Sequence, residues 1–357
     1  MAIVYFPVVK AKTAEWRALG NVDWSSSPSC PLVEIVPIPK RKVAPTEGEW
    51  LAEIHLKLSE SCSSGTILVD PHLLQPTVPG GGSEASFEYF AANQEQVGPQ
   101  IAPVVRLGSK QDVLKAAKRL SEVSSAGAAI RILEGELSSS VVDGGTAINA
   151  RLSDILSTLS VDRSEVDLII DLGAMSWRSS LDLYVNGLLA AVPLIEEVKA
   201  FRYVVIVGSS APAMNNVAKF DMVAVPRTEF GVFTSFSSRD KSGARLAFGD
   251  YVGFAPDLPA GEARTKHPAL RYSREEDLAI VRREAERGAG FSIFTAVCEF
   301  IVAQPWYKGS DYSWGDFYIN EVAAGRTSAS GGGSTAWRAA AVNHHITITA
   351  QQLAMLP

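Results

Sequence analysis

Cysteine is scarce in this chain of 357 residues, and so are long apolar runs. Its three cysteines, Cys30, Cys62 and Cys298, lie far apart without metal-ligand spacing, which argues against a disulfide scaffold or a zinc site. No run reaches the roughly 18 apolar residues that a membrane span needs. The first residues also lack the basic leader and cleavage site of a signal peptide. We therefore expect a cytoplasmic protein that makes no use of a membrane.

Basic residues are outnumbered, with 33 Lys and Arg against 39 Asp and Glu and a formal charge of −6. No overall positive field draws the chain to nucleic acid or anionic lipid, although a local basic patch remains open. The sequence also lacks a nucleophile elbow and metal-ligand motifs. The glycine-rich stretch at 79–83 is not a P-loop, because no Lys-Ser or Lys-Thr follows it. These absences identify no cofactor and no metal-binding motif, and metal dependence stays open.

What the sequence does contain is a series of short apolar runs with helix-like stretches between them. The run at 166–173 (VDLIIDLG) is typical of a fully buried strand, and it ends in Asp171 and a glycine. Similar runs lie at 3–9, 32–37, 66–70, 100–107, 128–133, 202–208 and 248–254, and a short spare run lies at 222–226. Units of roughly 30 to 40 residues predict a TIM-like (β/α)8 barrel of parallel strands, with the register between 209 and 255 left open.

The regular alternation stops near Leu270. A charge-rich block at 273–288 (SREEDLAIVRREAERG) predicts an exposed helix supported by i to i+4 ion pairs. The aromatic residues between Trp306 and Tyr318 predict a cap on the core or, alternatively, a ligand-stacking wall. The tail after Asn343 alternates like a strand, which would turn His344 and His345 to opposite faces. We expect residues 1–265 to form the barrel and residues 266–357 to form an extension packed on it.

Three segments carry a resemblance to a known family. VYFPVVKAK at 4–12, DYSWGDFYI at 311–319 and STAWRAAAVNHHIT at 334–347 resemble the "beta protein" family of phage and bacterial proteins. The resemblance runs from residue 1 to about 350 and implies a barrel-like α/β fold, a cytoplasmic setting and a link to phage or mobile-element biology. It supplies no functional residues. The serine and glycine content at 325–333 departs from the more compact family pattern.

Charged side chains follow many of the predicted strands, and in a parallel barrel such residues meet at the C-terminal rim. We expect Lys10, Asp70, Arg106, Asp171 and Asp250 to lie near one another there, with His72 beside Asp70. The candidate ligand-binding residues are Lys10, Arg106, Arg227, Trp337 and Arg338. The candidate catalytic residues, or divalent-metal ligands, are Asp70, Asp171, Glu229 and Asp250.

Two classes of function fit this rim. In the first, the cationic side chains bind an anionic small molecule, a nucleic acid or a protein partner. In the second, the carboxylates serve a hydrolase that acts on a phosphate- or sugar-containing substrate. Whether the protein is an enzyme stays open, because a barrel fold alone does not decide it.

Overall fold

The computed structural model describes residues 4–24, 28–39, 43–62, 65–76, 78, 80–96, 98–213, 222–257, 269–283, 292–326 and 333–356. Parts of four sequence predictions lie outside these residues. They are the start of the first strand at residue 3, one residue of the glycine-rich stretch at 79–83, the end of the charge-rich block at 284–288 and most of the loop at 325–333.

Eight parallel strands close into a barrel, as the sequence predicts. They are β1 (Tyr5–Lys10), β2 (Leu32–Glu34), β3 (Thr66–Asp70), β4 (Gln100–Arg106), β5 (Ala128–Leu133), β6 (Val166–Ala174), β7 (Tyr203–Ser209) and β9 (Leu246–Asp250). The barrel closes where β9 pairs with both β7 and β1, and Tyr5 lies opposite Phe248. The strands read as continuous apolar runs because the interior buries one face and the helices bury the other.

Helices between the strands form the outer layer of the barrel. They are α1 (Thr13–Leu19), α2 (Glu47–Ser61), α3 (Ser83–Asn93), α4 (Gln111–Ser124), α5 (Glu134–Val142), α6 (Thr146–Leu159), α7 (Leu181–Ala191) and α8 (Thr228–Arg239). Thr46 and Glu49 form a capping box that fixes the start of α2. Helix α7 ends before Pro193, which lacks a backbone N–H group, and short 3-10 turns follow.

The spare run at 222–226 lies outside the barrel. It forms β8 (Met222–Pro226), which pairs antiparallel with β11 (Asp277–Arg282), and β11 also pairs with β10 (Ala269–Ser273). The prediction of an exposed helix across the charge-rich block is therefore wrong for its described residues. Leu278 and Ile280 are buried against Val225 in one small cluster, and Ala279 and Val281 are buried in another. Burial on both faces outweighs the helical charge spacing.

Three further helices lie in the described residues after the small sheet: α9 (Ser292–Val302), α10 (Trp314–Ala323) and α11 (Ser334–Ala354). The tail predicted as a strand is helical, so the prediction that His344 and His345 point to opposite faces of a strand is wrong. Helix α11 is buried along most of its length between the barrel and the small sheet, and Asn343 donates hydrogen bonds to the carbonyls of Ala18 and Asn21. Within the described part of the chain, no helix has the length and apolarity that crossing a bilayer requires.

Candidate ligand site at the barrel mouth

Polar side chains fill the C-terminal end of the barrel interior. Alternation along each strand turns one apolar face into the barrel, and the last inward position of each strand, or the residue just after it, is polar. These positions are Lys10, Glu34, Asp70, Arg106, Arg131, Asp171, Ser209 and Tyr251. We call this set the mouth network. It caps an apolar barrel core with charges of both signs.

Arg131 is the centre of the mouth network and is only 1% exposed. Its Nη1 lies 2.7 Å from Asp70 Oδ2 and 3.0 Å from Glu34 Oε1. Its Nε and Nη2 lie 2.9 and 2.6 Å from Asp171 Oδ2, and the Tyr251 hydroxyl also donates to that oxygen over 2.7 Å. Burial alone would lower the pKa of Arg131, but Tyr251 and the three carboxylates outweigh it and raise that pKa. The guanidinium stays charged and ties four strand ends together.

Asp70 joins Arg131 to the more exposed edge of the network. Its Oδ1 accepts the backbone N–H of His72 at 3.1 Å and lies 2.8 Å from His72 Nδ1. Its Oδ2 accepts from Arg106 Nη2 at 3.0 Å as well as from Arg131. Burial would raise the pKa of Asp70, but the hydrogen bond from His72 and the charges of Arg106 and Arg131 hold it well below its ordinary range. Asp70 is therefore an anion with its acceptor sites filled.

The contacts of His72 select one tautomer. Nδ1 lies 2.8 Å from Asp70 Oδ1 and 2.9 Å from Arg106 Nη2. A lone pair on Nδ1 would face the anionic Oδ1, whereas a proton on Nδ1 makes a hydrogen bond there. Arg106 Nη2 meanwhile has Asp70 Oδ2 as its own acceptor. We assign the proton to Nδ1, which leaves Nε2 with the lone pair of the neutral ring.

Lys10 completes the charge balance of the mouth network. Its Nζ lies 3.2 Å from Glu34 Oε2 and donates to the carbonyl of Pro256 at 2.6 Å. The Ser209 hydroxyl donates to the carbonyl of Phe254, so the segment after β9 is held across this side of the mouth. The network thus contains three carboxylates and three basic side chains. An added anion needs further positive groups outside this balanced set.

A cavity of about 600 Å³ lies beside the network, between the segments that follow β3 and β4. Its lining residues are His72, Leu74, Gln75, Pro76, Val78, Gly80, Gly81, Ser83, Glu84, Ser109, Lys110 and Val113. Leu74, Pro76, Val78 and Val113 make part of its wall apolar. His72, which contacts Asp70 of the mouth network, lies in this wall, and its side chain is 30% exposed.

The start of α4 supplies the positive side of this cavity. The N-cap residue is Lys110, and no side chain caps the helix. The hydroxyl of the preceding residue, Ser109, accepts the backbone N–H of Arg106 at 2.9 Å. The start of α3 differs, because Gly82 N donates to Glu47 Oε1 at 2.6 Å. The uncapped N–H groups of α4 and the Lys110 ammonium therefore favour an anion at this end.

A family model described as Beta protein matches residues 5–351, nearly the whole chain. The chain belongs to the Beta protein family. No curated protein matches it. Family membership confirms the resemblance carried by the three segments in the sequence, and the closed barrel confirms the fold that this resemblance implies.

Other residues singled out in the sequence lie elsewhere in this Beta protein family member. Asp250 ends β9 but faces outward, where Oδ1 accepts the Tyr5 hydroxyl at 2.7 Å and Oδ2 lies 2.7 Å from His345 Nε2. The structure thus brings Lys10, Asp70, Arg106 and Asp171 into one network and leaves Asp250 behind the barrel wall. The Ser273 hydroxyl lies 2.6 Å from Nδ1 of the same histidine. This serine, histidine and aspartate are each at most 1% exposed, so the trio joins the barrel to α11 rather than meeting a substrate.

Arg227 and Glu229 belong to the junction between the barrel and the small sheet. Arg227 donates to Thr349 Oγ1 at 2.7 Å and to Gln352 Oε1 at 2.5 Å, which fixes it to α11. Glu229 Oε2 accepts the backbone N–H and hydroxyl of Ser210. Burial raises the pKa of Glu229 above its ordinary value. Neither side chain enters the mouth network.

Trp337 and Arg338 both lie on α11. Trp337 is 2% exposed and stacks on Phe294 in the core beneath the small sheet. Arg338 pairs with Glu15 Oε1 at 2.6 Å, and its guanidinium lies over the Phe254 ring. The roles suggested for both in ligand binding stay predictions, and their present contacts are with the protein itself.

The sequence did not point to Glu34, Arg131 or Lys110. Glu34 interrupts the apolar run LVEIVP, and Arg131 interrupts the apolar run AIRIL. A charged residue inside a run that is otherwise typical of a buried strand is the sequence signal that could have identified both. Ligand atoms of Glu34, Asp70 and His72 lie within 4.8 Å of one another. Lys10, Arg106 and Arg131 already contact these carboxylates, so the cluster does not suit a divalent cation.

Proposed function

We propose that the protein binds a small phosphate-bearing molecule at the barrel rim, in the cavity between the segments after β3 and β4. The observation that carries this proposal is the continuity of one cavity wall from His72 to the uncapped start of α4. Lys110 and the first N–H groups of α4 supply the positive charge that the balanced mouth network lacks. Phosphate at a helix N-terminus is a common mode of anion binding.

The composition of the cavity supports a ligand with more than a phosphate group. A volume of about 600 Å³ suits a molecule the size of a sugar phosphate or a nucleotide. Glu84 and Gln75 line the wall and offer acceptors to hydroxyl groups, while the apolar residues suit a ring. We therefore favour this class over a nucleic acid or a protein partner, which the formal charge of −6 and a cavity of this size suit less well.

The cellular setting belongs to the same proposal. Membership of the Beta protein family supports a role in phage or mobile-element biology. Three widely spaced cysteines, none paired in a disulfide, support a reducing cytoplasm.

Isothermal titration calorimetry with ribose 5-phosphate and AMP tests the proposal, with ribose and adenosine as unphosphorylated controls. We expect saturable binding of a phosphorylated probe alone. Lys110→Ala should weaken it about 10- to 100-fold, the loss typical of one charge-assisted hydrogen bond. Lys115→Ala is the matched control, because Lys115 lies on the same helix, is exposed and does not line the cavity.

Two results would count against the proposal. One is that each phosphorylated probe binds no more tightly than its unphosphorylated control, ribose for ribose 5-phosphate and adenosine for AMP. Absence of measurable binding by all four compounds counts as the same result. The other is that Lys110→Ala and Lys115→Ala weaken binding equally. That result would mean that these lysines act through the overall positive charge near α4 and that the cavity is not the binding site.

A further inference from the structure

His72 adjoins the mouth network and is more exposed than the residues at its centre. Its side chain is 30% exposed and lines the cavity, whereas Asp70 and Arg131 are each about 1% exposed. Two hydrogen bonds to Asp70 Oδ1, one from the backbone N–H and one from Nδ1, fix the position of the ring. No hydrogen bond to Nε2 occurs among the described residues. One nitrogen is thus held by a buried carboxylate, and the other carries a lone pair at the edge of a cavity.

This arrangement is the one that general-base catalysis uses. A carboxylate that accepts from one imidazole nitrogen holds the ring in a single tautomer and stabilises the imidazolium that forms when the other nitrogen takes a proton. Asp70 is suited to this task because Arg106 and Arg131 keep it ionised. Arg106 also lies at the cavity edge of the network, with 18% exposure, where it can stabilise charge that develops on a bound phosphate.

We propose that His72 is the general base of a phosphate-monoester hydrolase, with Asp70 as its positioning residue and the phosphate placed by Lys110 and the start of α4. This inference rests on the proposed function, because the same cavity holds the substrate. In the hydrolase that the sequence suggests, a rim carboxylate is the acid or base, whereas here His72 accepts and returns the proton. Asp70 and Asp171 are the mouth carboxylates suggested for that role, and both are engaged by Arg131.

The chemical step balances with water as the sole co-reactant. His72 Nε2 takes a proton from water while the water oxygen forms a bond to phosphorus. The bond between phosphorus and the ester oxygen breaks, and the leaving alkoxide takes the proton that the imidazolium returns directly or through solvent. The products are an alcohol and inorganic phosphate. No electrons are exchanged with an oxidant or reductant.

Release of inorganic phosphate from ribose 5-phosphate and AMP tests the inference, with binding of the same probes measured in parallel. His72→Gln keeps a polar side chain of similar length but removes the base. We expect it to bind the probe within about threefold of the unchanged protein and to lose about 100- to 10,000-fold in kcat. Asp70→Asn should lower kcat, and Lys115→Ala should leave it unchanged.

Further readouts separate a base from a merely structural histidine. Imidazole added to His72→Ala should restore part of the rate. Hydrolysis in 18O-labelled water should place one labelled oxygen in the phosphate.

The outcomes distinguish this inference from the proposed function. If the protein binds ribose 5-phosphate or AMP through Lys110 yet releases no phosphate above the buffer rate, the hydrolase is overturned and the binding function stands. Phosphate release by His72→Gln at the original rate also overturns it. If neither probe binds, both proposals fail together.

Discussion

Replacing Arg131 with methionine should destabilise the fold more than replacing any surface arginine. The change removes one of three cations from a set that includes three carboxylates. Asp70 keeps Arg106, and Glu34 keeps Lys10. Asp171 loses its cation and retains only the Tyr251 hydroxyl and the backbone N–H of Gly173 as donors among the described residues.

One buried carboxylate without a counterion costs about 3–5 kcal/mol of unfolding free energy. We therefore expect Arg131→Met to lower stability by about that amount at pH 7.5. The double variant Arg131→Met with Asp171→Asn restores the balance at two cations and two carboxylates. It should recover a large part of the loss. Asp171→Asn alone should also destabilise, because it removes one of the three negative charges that compensate the buried Arg131.

Urea unfolding followed by circular dichroism measures these differences, and the four proteins make a double-mutant cycle. Arg119→Ala is the surface control. Arg119 pairs with Glu88 on the outside of the barrel, both side chains are more than 40% exposed, and a change within about 1 kcal/mol is expected. A loss below about 1 kcal/mol for Arg131→Met, or no coupling in the cycle, would refute the view that Arg131 holds the mouth together.

Three other predictions concern the fold outside the mouth. Burial lowers the pKa of His345 below its ordinary value of 6.5 despite the charge of Asp250, so the unfolded chain takes up a proton first as the pH falls. The melting temperature should therefore fall as the pH drops below 6.5, and His345→Gln should weaken that dependence on pH. An unchanged dependence in this variant would contradict the prediction. Burial raises the pKa of Cys62 to about 12, so iodoacetamide at pH 8 should label it only in urea, and labelling of the folded protein would count against its burial. Residues 1–265 expressed alone should aggregate, because α11 covers one side of the barrel; a soluble fragment that unfolds cooperatively would show otherwise.

The barrel was predictable because each of its strands is apolar on both faces and repeats at a regular spacing. The strand order follows from chain order in such a repeat, and so does the meeting of Asp70, Arg106 and Asp171 at one end. The outward turn of Asp250 was predictable in principle, since Tyr251 and not Asp250 continues the inward series of β9.

The C-terminal part was not predictable from local pattern. The block around Leu278 carries helical charge spacing, yet it pairs with the strand at 222–226 across more than 50 residues of chain. Helix α11 contains the alternating sequence ITIT, but burial against the barrel and the small sheet allows β-branched residues on every side. Burial against residues that are distant in the sequence determines the secondary structure of both segments. The local sequence pattern does not reveal those contacts.

A crystal of the protein soaked in sodium tungstate tests the central claim most directly, because tungstate has the shape and charge of phosphate and a strong anomalous signal. We predict a peak in the cavity within hydrogen-bond distance of Lys110 and the first N–H groups of α4, with His72 at its edge, and the loss of that peak in Lys110→Ala. A peak only at surface lysines such as Lys115, or none at all, would contradict it.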